Sequence, residues 1–420
     1  MHRIASRRAH FRAILLAFLG LGVQVGAQAV ILADLARARA LNPAVLGLAF
    51  SAQAAVGIIA LLVGGALADR LGRRPLLAIG GGGLGLFFLA LATAPPYALL
   101  LAAFVLGGAS ASAYDLAVNT LGGDYERRYR TRAMTMLHAG FSGGAALGAA
   151  LSALLLARGT DFRLVYTLLG ALLLALALGT RWLPLPPAHA ATPAQQAPAA
   201  TPPAADRAPA PADAVPADAH PPGAFVLLRA PGVLLAAALV GVCFFGDGAL
   251  EGFTGVYLRN LLGAGPLLGG LGIAAFHLVG LVARLLSGTT LRRHGERRVV
   301  VAAGLGAACG IALTLATVVP AIAVAGLLVV GFSLAPVVPV AFSLAGRAAP
   351  GHGARAVALV TTVGYSAFIV GPFIVGGLAT LTSLRAALLP LLGTTLGIAL
   401  LARRIAPQPR ATNATAGGAA

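Results

Sequence analysis

Asp247 and Glu251 stand four residues apart inside a long apolar run, so on a helix they share one face. At 1.5 Å of rise per residue, Asp247 falls near mid-membrane and Glu251 in the outer third. A carboxylate at that depth costs about 2.5 to 3.5 kcal/mol, so it calls for a proton, a cation or water. The chemistry in view is binding of a coupling proton or a polar solute; the alternative is a carboxyl satisfied by a neutral hydrogen-bond network. Asp115 and Asn119 repeat the i, i+4 spacing in another apolar run. Arg284 lies at a depth similar to Asp115, so the two can form a gating ion pair, unless Arg284 instead snorkels to the surface. His138 and His277 titrate near neutral pH and can relay protons. A lone His on an apolar helix is more often a packing residue. Two His on different helices define no metal site, and none is expected.

The elements that position these residues follow from composition. Of 420 residues, 59% are hydrophobic and 10% charged, with a mean hydropathy of +0.90. Soluble domains carry about 25% charge, so the bilayer is this chain's solvent. The 30 basic residues are all Arg. Absence of Lys removes a Walker A loop and Schiff-base chemistry. The net charge of +18 lies in short clusters between apolar runs, which fits membrane-surface loops and not nucleic acid. Cys243 and Cys309 sit inside apolar runs and act as small hydrophobes.

Cutting at Pro, Gly and charge clusters gives twelve segments of about 20 residues. They run over 12–33, 43–67, 75–94, 97–122, 134–157, 164–182, 232–258, 266–291, 299–319, 321–346, 356–381 and 386–402. The expected class is an all-α membrane protein of twelve helices in two six-helix bundles. The domains are then 1–183, an Ala/Pro-rich cytoplasmic linker 184–223, a second bundle 224–404, and a disordered tail 405–420. In the linker, 27 of the 39 positions from 184 to 222 are Ala or Pro, which bury almost nothing. With the N-terminus cytoplasmic, 23 Arg fall on inner segments and 6 on outer loops, so both termini are expected inside. The Arg-rich start and Ala27-Gln28-Ala29 imitate a cleavable signal peptide, but a repeat argues that the first segment is retained.

Shifting the chain by 223 residues lays VGIIALLVGGALADRLGRR (56–74) on VGLVARLLSGTTLRRHGER (279–297). Gly57/Gly280, Gly65/Gly288, Arg70/Arg293, Gly72/Gly295, Arg74/Arg297 and Arg132/Arg355 coincide, while Arg292 replaces Asp69. One offset across several helices means two units of like topology. It also pairs the first helix with the seventh, setting Gln24 opposite Asp247 and Gln28 opposite Glu251.

GGALADRLGRRPLL (64–77) resembles the loop signature of the major facilitator superfamily, G-x-x-x-D-R-x-G-R-R, with a degenerate copy in the second unit. Within it, Asp115-x-x-x-Asn119, Met136-Leu-His138-x-x-Phe141-Ser142-x-Gly144 and Glu251-Gly252-x-x-x-x-Tyr257-Leu258-Arg259 resemble the fucose-permease-like branch and its YbjJ-type inner-membrane relatives. The resemblance implies a cavity lined by helices one, four, seven and ten, and a moving interface of two, five, eight and eleven. It also implies a relay in which Asp69, Arg70 and Arg73 tie helix two to helix eleven in the outward-facing state. A tight turn that only fixes topology is the plainer reading of that loop. Departures are the missing Gly-Pro pair of helix five and the presence of Gly371-Pro372 in helix eleven.

Helices three, six, nine and twelve hold no acid and no His, and are expected to face lipid. Gly80-x-Gly82-x-x-Gly85 matches a dinucleotide fingerprint but begins a membrane helix, so it is a packing surface. The Asn413-Ala-Thr415 sequon lies in the cytoplasmic tail, where no glycosylation is expected. The expected function is secondary transport of a small solute, sugar-like or otherwise polar, by alternating access with protons. Drug or metabolite efflux is the alternative. No enzyme activity and no cofactor are expected. The partners are solute, protons and the bilayer of a bacterial cytoplasmic membrane, with the chain a monomer.

Overall fold

A computed structural model describes residues 7–131, 133–185 and 224–406. The linker beyond 185, the tail beyond 406, and the side chains of 62–70, 135, 224–225 and 354 lie outside the described residues, Asp69 and Arg70 among them. Among the described residues, twelve helices are long and apolar enough to cross a bilayer. In chain order the spans are Arg7–Ala38, Pro43–Leu61, Arg73–Ala92, Tyr97–Tyr129, Met136–Ala157, Phe162–Trp182, Pro231–Leu261, Pro266–His294, Glu296–Ala316, Pro320–Ala348, Arg355–Leu381 and Leu384–Ala402. We refer to them by ordinal.

Departures from the segment limits have local causes. The fourth helix continues past the apolar run to Tyr129, because its terminal charges find partners: Asp124 meets Arg73 and Arg127. The tenth span breaks after Leu334, where Pro336 removes a backbone donor and crowds the preceding turn. The seventh is α-helical to Val256 and finishes in a π turn over Tyr257–Leu261. Asp161 caps the sixth helix by accepting from the Arg163 N–H at 2.7 Å.

The repeat survives in backbone geometry. Gly72 and Gly295 occupy equivalent short turns, with φ +85° and ψ 164° against φ +79° and ψ 153°. A Cβ would be strained there, so each turn needs Gly.

Small residues set the packing within each unit. A Cβ on Gly22, Gly26, Gly144 or Gly148 would lie about 2 Å from backbone oxygens across the first and fifth spans. Gly371 against Phe245 O, at 2.3 Å for a built Cβ, does the same between the seventh and eleventh. Gly80 and Gly85 of the apparent dinucleotide fingerprint abut Tyr114 and Leu174, which confirms packing as their use. The sixth span exposes Leu164, Leu168 and Leu172 in one i, i+4 row, and Leu305 and Leu400 are exposed on the ninth and twelfth. That is the apolar outer surface expected of these helices.

Candidate functional site

The first six spans touch the last six chiefly through three helix pairs, second with eleventh, fifth with eighth, and first with seventh, with smaller contacts of first with eighth and second with seventh. The close contacts of all three fall on one side of the molecule. Gly47 lies against Pro372 and Gly376, with a built Cβ 2.4 Å from Pro372 O. Gly270 lies against Ala153, with a built Cβ 2.3 Å from the Ala153 Cβ. The shift of 223 carries Gly47 to Gly270 and Ala153 to Gly376, so these are two images of one contact. Ser51 Oγ donates to Ile369 O at 2.8 Å alongside.

Charged residues clamp the same side. Arg259, on the π turn, donates through Nη1 and Nη2 to both carboxylate oxygens of Asp34, the Nη2 bond being 2.9 Å, and to Val30 O at 3.1 Å. Its side chain is 3% exposed and that of Asp34 15%. Arg37 donates to Asn260 Oδ1 at 2.6 Å, and Asn260 Nδ2 donates to Ala33 O at 3.1 Å. The bidentate fork is the strong form of ion pair. A π turn inserts one residue per turn and rotates the side chains beyond it, which puts Arg259 on the face toward the first span.

Toward the opposite side the spans part and leave a cleft. Glu251 is exposed and has no hydrogen-bond or ion-pair partner among the described residues. Asp247, one turn earlier, is half-buried and accepts a long contact of 3.9 Å from Cys243 Sγ. Arg284 is exposed, seven residues and two turns after the half-buried His277. Its charge acts on Asp247, Glu251 and His277 and, across the cleft, on His138. His138 is exposed and packs edge-on against Phe18, centroids 5.2 Å apart. Asp115, half-buried, accepts from Asn119 Nδ2 at 2.9 Å, and its field reaches Tyr365 of the eleventh span.

The structure therefore brings Asp247, Glu251, His138, His277 and Arg284 into one electrostatic environment. Asp115 and Arg284 make no ion pair here, despite their equal depth, because the spans that carry them stand apart on the open side. Gln24 is buried and Gln28 half-buried, and neither hydrogen-bonds to Asp247 or Glu251. The first and seventh spans make their contact further along, at Ala29 and Gly255. No group of three or more His, Cys, Asp or Glu among the described residues could hold a metal.

In the signature loop, Arg73 Nε donates to the fully buried Asp124 at 3.3 Å, and Arg127 donates to the other carboxylate oxygen at 2.5 Å. The same loop's Arg74 donates to Thr180 O and, at 2.8 Å, to Leu183 O, closing the end of the sixth span. The family model of the Major Facilitator Superfamily matches residues 13–372 and 257–419. This chain belongs to that superfamily. As a superfamily member it is 27% identical over 358 residues to an uncharacterized transporter of Sinorhizobium fredii, covering 82% of this chain and 86% of the relative. It is 31% identical over 155 residues to an uncharacterized MFS-type transporter of Yersinia pestis, and the match spans 40% of that relative's length. Among solved structures, the nucleoside transporter NupG superposes with a TM-score of 0.73 at 14% identity, over 94% of this chain and 98% of the other. An inward-facing, unoccupied bacterial homologue of the lysosomal transporter Spinster gives 0.70 at 13% identity, over 94% of each chain. At such identities the likeness carries the fold alone. The superfamily fold and its transport role are thereby established for this chain, with twelve spans embedded in a membrane and a small molecule as cargo.

The clamp is not legible in the sequence. Composition and spacing place Arg37 and Arg259 among the loop charges and give Asp34 no role. One signal is present: the shift of 223 pairs Arg37 with Asn260, the two residues that meet across the seam.

Proposed function

We propose that this superfamily member moves a small polar solute across a bacterial cytoplasmic membrane by alternating access, driven by protons. The observation that carries the reading is the contrast between the two sides. One is shut by backbone contacts and the Asp34–Arg259 clamp; the other opens onto Glu251, Asp247 and Arg284, none of them in an ion pair. Ionisable groups without partners at membrane depth are expensive, so they mark a water-filled path and a ligand. Proton binding belongs to Asp247 and Glu251, with Asp115, Asn119, Gln24 and Gln28 as further solute contacts and His138 and His277 as a relay. Arg284 stays protonated and acts as an electrostatic lever.

The excess of Arg supports a cytoplasmic placement of both termini and of the open side, so this conformation is inward-facing. The bundles span 1–183 and 224–404, joined by 184–223 and followed by a tail from 405, and the chain acts as a monomer. A Cys in the 158 to 163 loop should then be labelled from outside the cell and one at Ala200 spared; the reverse pattern would overturn the orientation. Asp69, Arg70 and Arg73 serve as a relay that holds the outward-facing state, with the Arg73–Asp124 pair as its anchor.

A sugar-like cargo rests on the resemblance to the fucose-permease-like branch. Against efflux, Gly371 and Pro372 are occupied in packing the seventh span and the seal. Solute-dependent thermal stabilisation of the purified chain tests the cargo across sugars, organic acids and drugs. Stabilisation by sugars or related polyols, lost in Glu251→Gln, is the expected result. Stabilisation by hydrophobic cations alone would replace this reading with efflux.

A further inference from the structure

The π turn that carries Arg259 is held at two points, both of them on Tyr257. Within the turn, Tyr257 O accepts the Leu262 N–H at 3.0 Å, which is the five-residue bond of a π turn. Outside it, the Tyr257 hydroxyl donates to Thr314 O of the ninth span at 3.1 Å, with the residue only 2% exposed. The ninth helix ends at Ala316, so Thr314 O is one of the last-turn carbonyls that have no partner within their own helix. That acceptor is itself fixed, because the Thr314 hydroxyl donates to Gly310 O at 2.9 Å and to Ala323 O of the tenth span at 3.2 Å. Arg385, at the start of the twelfth span, donates to Thr317 O at 3.0 Å, and its charge acts on Tyr257. Beyond Tyr257, the stem of Arg259 passes Gly269 of the eighth span, where a built Cβ would lie 2.8 Å from the Arg259 Cγ.

We propose that Tyr257 is a positioning residue for the closed side: its hydroxyl, anchored on the ninth span, holds the π turn so that Arg259 is already aimed at Asp34 when the two units meet. This step rests on the alternating-access reading of the function. Tyr257, Thr314 and Arg385 all belong to the second unit, so a rigid-body motion of the units leaves the anchor intact in both states. The Asp34–Arg259 fork crosses between the units and exists only when this side is shut. A turn ordered in advance loses less freedom when the fork forms, so the anchor favours the closed state without touching Asp34. The repeat separates this role from that of the clamp. Its shift sets Tyr257 on Asp34 and Arg259 on Ala36. The first helix runs on to Ala38 without a π turn and uses that position for the acid itself. The second unit uses it for the anchor and supplies the base from the turn that follows. The run from Glu251 to Arg259 thus carries the cleft carboxylate, the anchor and the clamp on one span.

The test uses the full chain in proteoliposomes, with Cys243 and Cys309 replaced by Ala and Ser51→Cys as a reporter buried in the closed seal. A membrane-impermeant maleimide reaches that position only when the closed side opens. Tyr257→Phe keeps the ring and removes only the hydroxyl. It should raise labelling about two- to tenfold, the worth of one hydrogen bond, by favouring the open form. In an Arg259→Gln background there is no fork to aim, and the same substitution should change labelling no further. Gly47→Ala, which wedges the seal itself, should still raise labelling in that background. Loss of thermal stability with parental labelling, or an equal rise in both backgrounds, would make Tyr257 a structural residue and overturn the positioning role while leaving alternating access intact. A reporter that never labels in any background, Gly47→Ala included, would overturn both.

Discussion

Glu296 accepts from Arg347 at 2.7 Å across the same interval of 51 residues that separates Arg73 from Asp124, with the charges reversed. The shift of 223 carries Arg73 onto Glu296 and Asp124 onto Arg347. Both pairs tie the start of one span to the far end of the next. They differ in burial: Asp124 is fully buried, whereas the Arg347 side chain is 45% exposed. A charge that has exchanged sides without losing its partner marks the contact, and not either residue alone, as what the fold requires.

Exchanging the second pair should therefore be tolerated. Glu296→Arg or Arg347→Glu alone places like charges together and should cost about 0.5 to 1 kcal/mol, as solvent screens so exposed a pair. The double exchange should recover most of the loss in thermal stability. No recovery would mean that the contact depends on other neighbours.

The Asp34–Arg259 clamp should behave differently, because Arg259 is buried. Removing one partner of a buried pair costs about 3 kcal/mol or more, and here the loss falls on one conformation only. Asp34→Asn or Arg259→Gln should shift the balance between states on the order of a hundredfold toward the outward-open form. Labelling of Ser51→Cys by an impermeant maleimide reads that shift directly. Unchanged labelling would show that the backbone seal alone sets the balance.

Proton coupling should be lost in Asp247→Asn and Glu251→Gln, since an amide binds no proton at physiological pH. Solute exchange between the two sides should persist. Glu251→Gln should have the larger effect, as Glu251 has no partner in the cleft while Asp247 has Cys243. If both variants, singly and together, still accumulate solute when driven by a pH gradient in proteoliposomes, the coupling site lies elsewhere, with Asp115 the next candidate.

The sequence was informative where a one-dimensional pattern decides the structure. Apolar length fixed twelve spans, and the shift of 223 anticipated the matched turns at Gly72 and Gly295, because only Gly adopts that backbone conformation cheaply. Spacing of four put Asp247 and Glu251 on one face. Equal depth, by contrast, did not make Asp115 and Arg284 partners: depth along a helix is legible from residue number, but lateral distance depends on how far the spans stand apart. The clamp is hidden for a related reason. Arginine near a span end satisfies the charge rule for loops whether or not it has a partner, and the π turn that aims Arg259 leaves no periodic trace.

The seal at Gly47 and Gly270 contains no charge; it is backbone pressed on backbone and on the methyl groups of Ala153 and Val30, with the one neutral hydrogen bond from Ser51 to Ile369 O beside it. Dispersion of that kind is indifferent to ionic strength and acidity. A change in salt thus leaves this barrier against leak intact, while the Asp34–Arg259 clamp beside it is open to screening. Tightness and responsiveness are vested in different atoms, so each can drift in evolution without compromising the other.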